Sequence, residues 1–234
     1  MGRIGIIGAM EIEVAALREK MEKKNCITVA GMNFYCGTFH QKEIVLVKSG
    51  VGKVNAAICT QLLVDRFEVS TLINTGVAGS LCAEINIGDI VISSDALSHD
   101  MDASIFGYAP GTIPQMAISD FQADPTLIEL ARTSCAQVNP DIQTHVGRIV
   151  SGDQFISGSQ KKEELRQTFH ALCTEMEGAA IAQTAYLNQI PFVILRAISD
   201  KADGSASMDY NLFEKQAALR SMHLVAEMLS HISA

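Results

Sequence analysis

Residues 174–203, TEMEGAAIAQTAYLNQIPFVILRAISDKAD, set acids, an arginine and an unbroken apolar run into one helix-to-strand unit. Within it, 191–198 (PFVILRAI) is bounded by a proline and by Ser199-Asp200, the pattern of a strand covered on both faces. Ligands of open α/β sheets collect outside the carboxyl ends of strands, so the polar pair closing this run stands where chemistry is expected. Upstream, 171–174 reads as a short strand, 175–178 as a turn and 178–188 as an Ala-rich helix. Glu175 and Glu177 therefore fall at a second strand end.

Outward from this unit the chain alternates strand and helix. An apolar strand spans 3–8, and 9–24 carries Met10, Val14, Leu17 and Met21 at helical spacing. Three β-rich runs, 27–30, 33–39 and 43–48, predict antiparallel hairpins. A helix over 53–67, a strand over 71–74, a glycine-rich corner over 75–80 and a strand over 88–93 follow. Periodicity fails over 98–119, where Gly, Pro and aromatic residues gather; a loop of that length inside a compact domain is usually functional. Helix 125–137, strand 144–150, turn 151–153 and helix 161–169 lead back to the opening unit. Beyond Asp203 a polar loop precedes a terminal helix over 212–231. No repeat, Pro-rich linker or composition shift divides the chain. The expectation is one domain over 1–234, a three-layer α/β/α sandwich with a central mixed sheet.

Composition narrows the function. With 234 residues, 48% hydrophobic and 19% charged, the chain can bury a large core and does not read as disordered. A net charge of −8 without a basic stripe argues against nucleic acid or an anionic membrane surface as partner. The six cysteines lie in or beside apolar runs without a C-x-x-C pair, which predicts reduced core thiols in a cytoplasmic protein and no zinc site. The stretch MGRIGIIGAMEIE lacks an apolar signal core, and no segment approaches about 18 consecutive apolar residues, so a soluble, unexported chain is expected.

Neither a G-x-G-x-x-G fingerprint nor a P-loop occurs, so no nucleotide cofactor is expected. Gly8, Gly50, Gly52, Gly76, Gly79 and Gly152 recur at strand ends. Any one of them suits a tight turn; parallel strands would gather them on one rim, where bare corners admit a ligand to the backbone. Glu11 and Glu13 open a helix, where a carboxylate favours the positive end of the dipole, and Asp200 suits a turn or cap. Each of these sites nevertheless follows an apolar strand. Half-buried carboxylates in unlike surroundings part in protonation, so that one donates and another accepts a proton near neutrality. Such a pair suits hydrolysis at an acetal-like carbon.

The ordered blocks GIIGAMEIE (5–13), KSGVGKVNAA (48–57), NTGVAGS (74–80), GDIV (88–91), HDMDASIFGY (99–108), SGDQFI (151–156), EMEGAAIA (175–182) and RAISDKAD (196–203) carry a specific likeness. Through them the chain resembles the 5′-methylthioadenosine/S-adenosylhomocysteine nucleosidases of the purine nucleoside phosphorylase superfamily, from residue 3 to about residue 228. The resemblance implies hydrolysis of the N-glycosidic bond to adenine and a thioribose, through an oxocarbenium-like transition state and without a cofactor. It implies that Asp200, kept neutral by apolar surroundings and oriented by Ser199, protonates adenine N7. Glu13 would take a proton from the attacking water, which Arg196 helps to position, and Glu177 would grip the ribose hydroxyls as a carboxylate. Adenine would lie beside Phe155 with its edge read by the backbone of Ile156, and Ala78 would border the substrate. Val51, Met176 and Tyr210 would form the thioalkyl slot. Phe106 and Pro114, with Tyr108 in the same loop, match positions that complete a neighbouring subunit's site, which implies a homodimer. Read alone, these aromatic residues also suit anchors within their own subunit, the lesser of the two readings. Val77 and Tyr210 depart from the serine and phenylalanine common in that family.

Phosphorolysis is the runner-up. Phosphorylases of the superfamily resemble one another in cationic residues at corners where this chain has Glu13 and Thr75. A phosphate dianion beside Glu13 would be repelled by about 1 kcal/mol or more at contact. Hydrolysis of 6-amino-6-deoxyfutalosine is a further reading, and a non-catalytic adenosine-binding protein would be expected to lack Glu13 or Asp200. His99, Asp100 and Asp102 suit hydrogen bonds that fix the long loop better than they suit a metal site.

Overall fold

A computed structural model describes residues 2–201 and 206–232, with 206–212 described by their backbone alone. Strand β1 (Arg3–Gly8) lies parallel between β4 (Lys42–Lys48) and β5 (Val69–Ser80). Beyond β4 the sheet continues antiparallel through β3 (Met32–Phe39) to β2 (Glu22–Val29), the expected meander. On its other side β5 runs parallel to β10 (Phe192–Asp200), which pairs antiparallel with β6 (Ile90–Ser98). A two-residue strand, β7 (Phe121–Gln122), adds to β6. From β6 the sheet passes to β8 (Thr144–Ser151) and β9 (Cys173–Glu175), and β9 pairs back onto the end of β5. The sheet thus curls closed around β5, β10, β6, β8 and β9.

Strand periodicity sorts the core into two layers. Val193 and Leu195 join α1 (Glu11–Lys20), α3 (Pro125–Val138) and α6 (Ala206–His231) on one face. Phe192 and Ile194 join α2 (Lys53–Phe67) and α5 (Gly178–Leu187) on the other. Helix α4 (Ser159–Phe169) seals a smaller cluster with Leu97 and Val150. This is the mixed sheet flanked by helices that the alternation predicted.

Several boundaries differ from the sequence reading. Helix α1 stops at Lys20 because Glu22 onward pairs with β3, although Met21 is buried as the apolar spacing required. The glycine-rich stretch after Asn74 is no turn: β5 continues to Ser80 because β10 pairs with it through Gly79. Ser199 and Asp200 likewise lie within β10 rather than beyond it. Helix α6 begins at Ala206, not at 212; its polar opening reads as loop, yet it contains no Gly or Pro to break a helix. Cys26 on β2 is exposed rather than a core thiol, while Cys59, Cys135 and Cys173 are buried. No helix among the described residues is long and apolar enough to cross a membrane.

Candidate active site

The carboxyl ends of β1, β4 and β10 converge with the end of β9 on an open pocket. Glu13, Val51, Ala78, Phe155, Ile156, Met176, Glu177, Ser199 and Asp200 line it, gathering most of the residues that the sequence singled out.

At one end stands Glu13. As the third residue of α1 its carboxylate accepts the amides of Ala9 (2.7 Å) and Met10 (2.9 Å), so its capping role is real. Its other oxygen accepts the Val77 amide at 3.1 Å, which ties the helix start to β5. A Cβ on Gly76 would sit 2.6 Å from Glu13 Oε1 and 2.9 Å from Arg196 Nη1, so bare backbone here is what lets both side chains approach β5. Burial raises the Glu13 pKa, against Arg196 and the three amides, which pull it down. A base that holds a proton more firmly is the better acceptor.

Asp200 occupies the other end. The pairing of β10 with β5 slips at Ser199, so Ile198 faces Ala78 and Asp200 faces Gly79. A Cβ on Gly79 would lie 2.8 Å from Asp200 Oδ2. Gly76 and Gly79 are three residues apart on one strand, so the two carboxylates meet β5 at different points. Ser199 Oγ donates to Asp200 Oδ1 at 2.9 Å, the orienting contact expected. The surroundings of Asp200 are not simply apolar, however: the fully buried Lys162 donates Nζ–H to Oδ2 at 2.7 Å.

Between the ends, Glu175 gathers the donors. It accepts from Arg196 Nη2 (2.5 Å), from Ser151 Oγ and from the amides of Glu177 (3.0 Å) and Gly178 (2.8 Å). Burial by itself would raise its pKa, but Arg196, Ser151 and the Gly178 amide outweigh burial and hold it below the usual carboxylate range. Arg196 also donates to Asn74 Oδ1 at 2.6 Å. Its guanidinium lies behind the pocket wall, where it influences Glu13 by charge. Glu177, at the start of α5, accepts the Gly52 amide at 2.9 Å. Burial, and then the neighbouring Glu175 charge, push its pKa up to about 8. In the free pocket both causes favour the protonated acid over the carboxylate that the resemblance implies.

Not every expected residue meets here. Phe106 and Tyr108 are exposed and Pro114 is half-buried in the long loop, all outside the pocket wall of this chain. The side chain of Tyr210 lies outside the described residues. Val77 lines the pocket, and its amide serves Glu13. The Asp100 carboxylate pairs with Lys53 and accepts the Asp153 amide, while Asp102 accepts the Ser104 amide, so these acids fix the loop as anticipated. The sequence reading missed Lys162, Asn74 and Gln154, and it noted Glu175 at a strand end without giving it a role. Lys162 could have been found: it shares the apolar face of α4 with Leu165 and Phe169, at helical spacing.

A pocket at strand ends of a curled mixed sheet, lined by several carboxylates in unlike surroundings, can hold a small ligand between a proton donor and a proton acceptor. A family model described as Phosphorylase superfamily matches residues 3–230. The chain is 44% identical over 230 residues to the 5′-methylthioadenosine/S-adenosylhomocysteine nucleosidase of Staphylococcus aureus (strain JH9), covering 98% of this chain and 100% of the relative. It is similar, with a TM-score of 0.94, to the crystal structure of that nucleosidase from Neisseria meningitidis in complex with methylthio-immucillin-A, at 39% identity over 99% of this chain and 100% of the other. The S. pneumoniae nucleosidase with a transition-state inhibitor, MT-ImmA, gives a TM-score of 0.92 at 37% identity, over 99% of this chain and 100% of the other. The chain thus belongs to the phosphorylase superfamily and, within it, to the 5′-methylthioadenosine/S-adenosylhomocysteine nucleosidase family.

Proposed function

We propose that this chain is an N-glycosyl hydrolase that cleaves 5′-methylthioadenosine and S-adenosylhomocysteine to adenine and the corresponding thioribose. The observation that carries this reading is the placement of Glu13 and Asp200 at two ends of one pocket, each against a bare glycine of β5. Family membership and the inhibitor-bound relatives support it.

In this reading Asp200, oriented by Ser199, delivers a proton to adenine N7, which turns the base into a good leaving group. The glycosidic electron pair departs with adenine, and the ribose gains cationic character. Glu13 accepts a proton from water as its oxygen bonds to the anomeric carbon. Arg196 supports this end indirectly, through its charge beside Glu13. Glu177 takes the ribose hydroxyls; the growing positive charge on the ring favours its ionised form, so its grip tightens toward the transition state. Phe155 and the Ile156 backbone receive adenine beside Ala78, and Val51 with Met176 receives the thioalkyl arm. A second copy of the chain brings Phe106, Tyr108 and Pro114 to the site; the exposure of Phe106 and its neighbour Ile105 supports this. The working unit is one nucleosidase domain over 1–234, paired as a homodimer in the cytoplasm.

Adenine release from methylthioadenosine tests the reading directly. The expected result is a rate independent of added phosphate; a rate that requires phosphate would replace hydrolysis with phosphorolysis.

A further inference from the structure

We propose that Lys162 is a positioning residue that also stores the proton which Asp200 delivers, the two forming a proton-sharing pair at the adenine end of the pocket. The inference rests on the reading of Asp200 as proton donor to the purine.

In the free structure both oxygens of Asp200 accept: Oδ1 from Ser199 Oγ at 2.9 Å, Oδ2 from Lys162 Nζ at 2.7 Å. With both oxygens accepting, the proton that Asp200 delivers has to come from one of these two donors. Of its two donors, a serine hydroxyl does not part with its proton near neutrality, whereas an ammonium can. Lys162 Nζ also donates to the Lys201 carbonyl, which fixes its direction toward the end of β10. Its side chain is 1% exposed, on the face of α4 that carries Leu165 and Phe169. An ammonium is costly to bury there unless its charge is paired.

Asp200 faces the pocket, while Lys162 borders a separate outer recess with Leu81, Ser159 and Lys201. The charged groups around the pair are Glu84, Glu163, Arg166 and Lys201 on the recess side. Glu175, Glu177 and Glu13 stand on the pocket side, with the Cys173 thiol near Asp200. The step balances as follows. Nζ–H passes to Oδ2 and on from the carboxyl to N7, the C–N electron pair leaves with adenine, the water oxygen bonds to the anomeric carbon, and the water proton goes to Glu13. Lys162 ends as a neutral amine and regains its proton from solvent through the recess, while Glu13 returns its own to solvent.

The test is the pH profile of kcat and kcat/KM for adenine release by the unaltered enzyme, Lys162→Met and Lys162→Arg. Both variants are expected to lose about tenfold or more in kcat at neutral pH, with KM moving much less. Arginine keeps the charge and the hydrogen bond but holds its proton at every working pH, so Lys162→Arg should not restore the rate. Lys162→Met should recover as pH falls and solvent protonates the carboxyl. A Lys162→Arg enzyme of unaltered rate, or a Lys162→Met enzyme with the unaltered profile, overturns the proposal. Should neither variant fold, the unaltered enzyme still decides. Loss of kcat/KM within the ordinary carboxyl range, about pH 4 to 5, overturns the proposal. If the unaltered enzyme instead fails to hydrolyse methylthioadenosine, the functional reading itself falls.

Discussion

Two buried carboxylate–cation pairs stand at this pocket, and they behave as opposites. Glu175 is saturated: Arg196, Ser151 and the amides of Glu177 and Gly178 all donate to it, and an arginine does not release its proton. Asp200 accepts from Ser199 and Lys162, and its carboxyl forms part of the pocket wall. Burial is nearly equal, with side chains 3% and 1% exposed, so burial does not separate them. The number of donors and the cation's ability to lose a proton do. Glu175–Arg196 is a fixed charge that organises the β9–α5 corner, whereas Lys162–Asp200 is the pair in which we propose that a proton moves.

The sharpest way to break the contrast is Glu175→Ala. Removing the acid strands a buried guanidinium, and the expected loss is about 3–5 kcal/mol of folding stability by denaturant titration. A loss well under 1 kcal/mol would show that Glu175 is no organising centre. Asp200→Asn should act on the other quantity: a fall in kcat of about 10²-fold or more with adenine still bound. Near-normal turnover would remove Asp200 from its role.

Glu177→Gln probes the protonated acid between the two pairs. The folded state holds the Glu177 proton up to about pH 8 against an ordinary 4.5, so the stability it contributes is fully present below pH 4.5 and is lost as pH climbs to 8. Glutamine does not suffer that loss. The variant should therefore be the more stable of the two at pH 8.5 by denaturant titration, with the gap closing toward pH 4.5, while kcat/KM falls. A gap that ignores pH would contradict a raised Glu177. The smallest effect is expected from Gly79→Ala, whose new methyl meets Asp200 Oδ2 at 2.8 Å. It should cost about tenfold in kcat by displacing the carboxyl, with stability moving by less than about 1 kcal/mol. Equal activity would mean that the carboxyl has room to move.

Much of this was legible in one dimension. The apolar run ending at Asp200, the alternation of strand and helix, and the helices over 53–67 and 125–137 follow from periodicity and from local stop signals. Such features involve residues close in sequence, and so does the capping carboxylate of Glu13. The resemblance supplied the family and most of the pocket wall. Tertiary structure decided what rests on contacts between distant segments. The stretch after Asn74 is strand and not turn because β10, more than a hundred residues away, pairs with it. Lys162 reaches Asp200 across 38 positions of sequence, and Arg196 reaches Asn74 across 122. The charge state of Glu177 depends on how completely the fold removes it from water beside Glu175. Local pattern shows which residues can form a strand end or a cap; only the folded chain brings two charges within hydrogen-bond distance and takes away the water that would otherwise keep them apart.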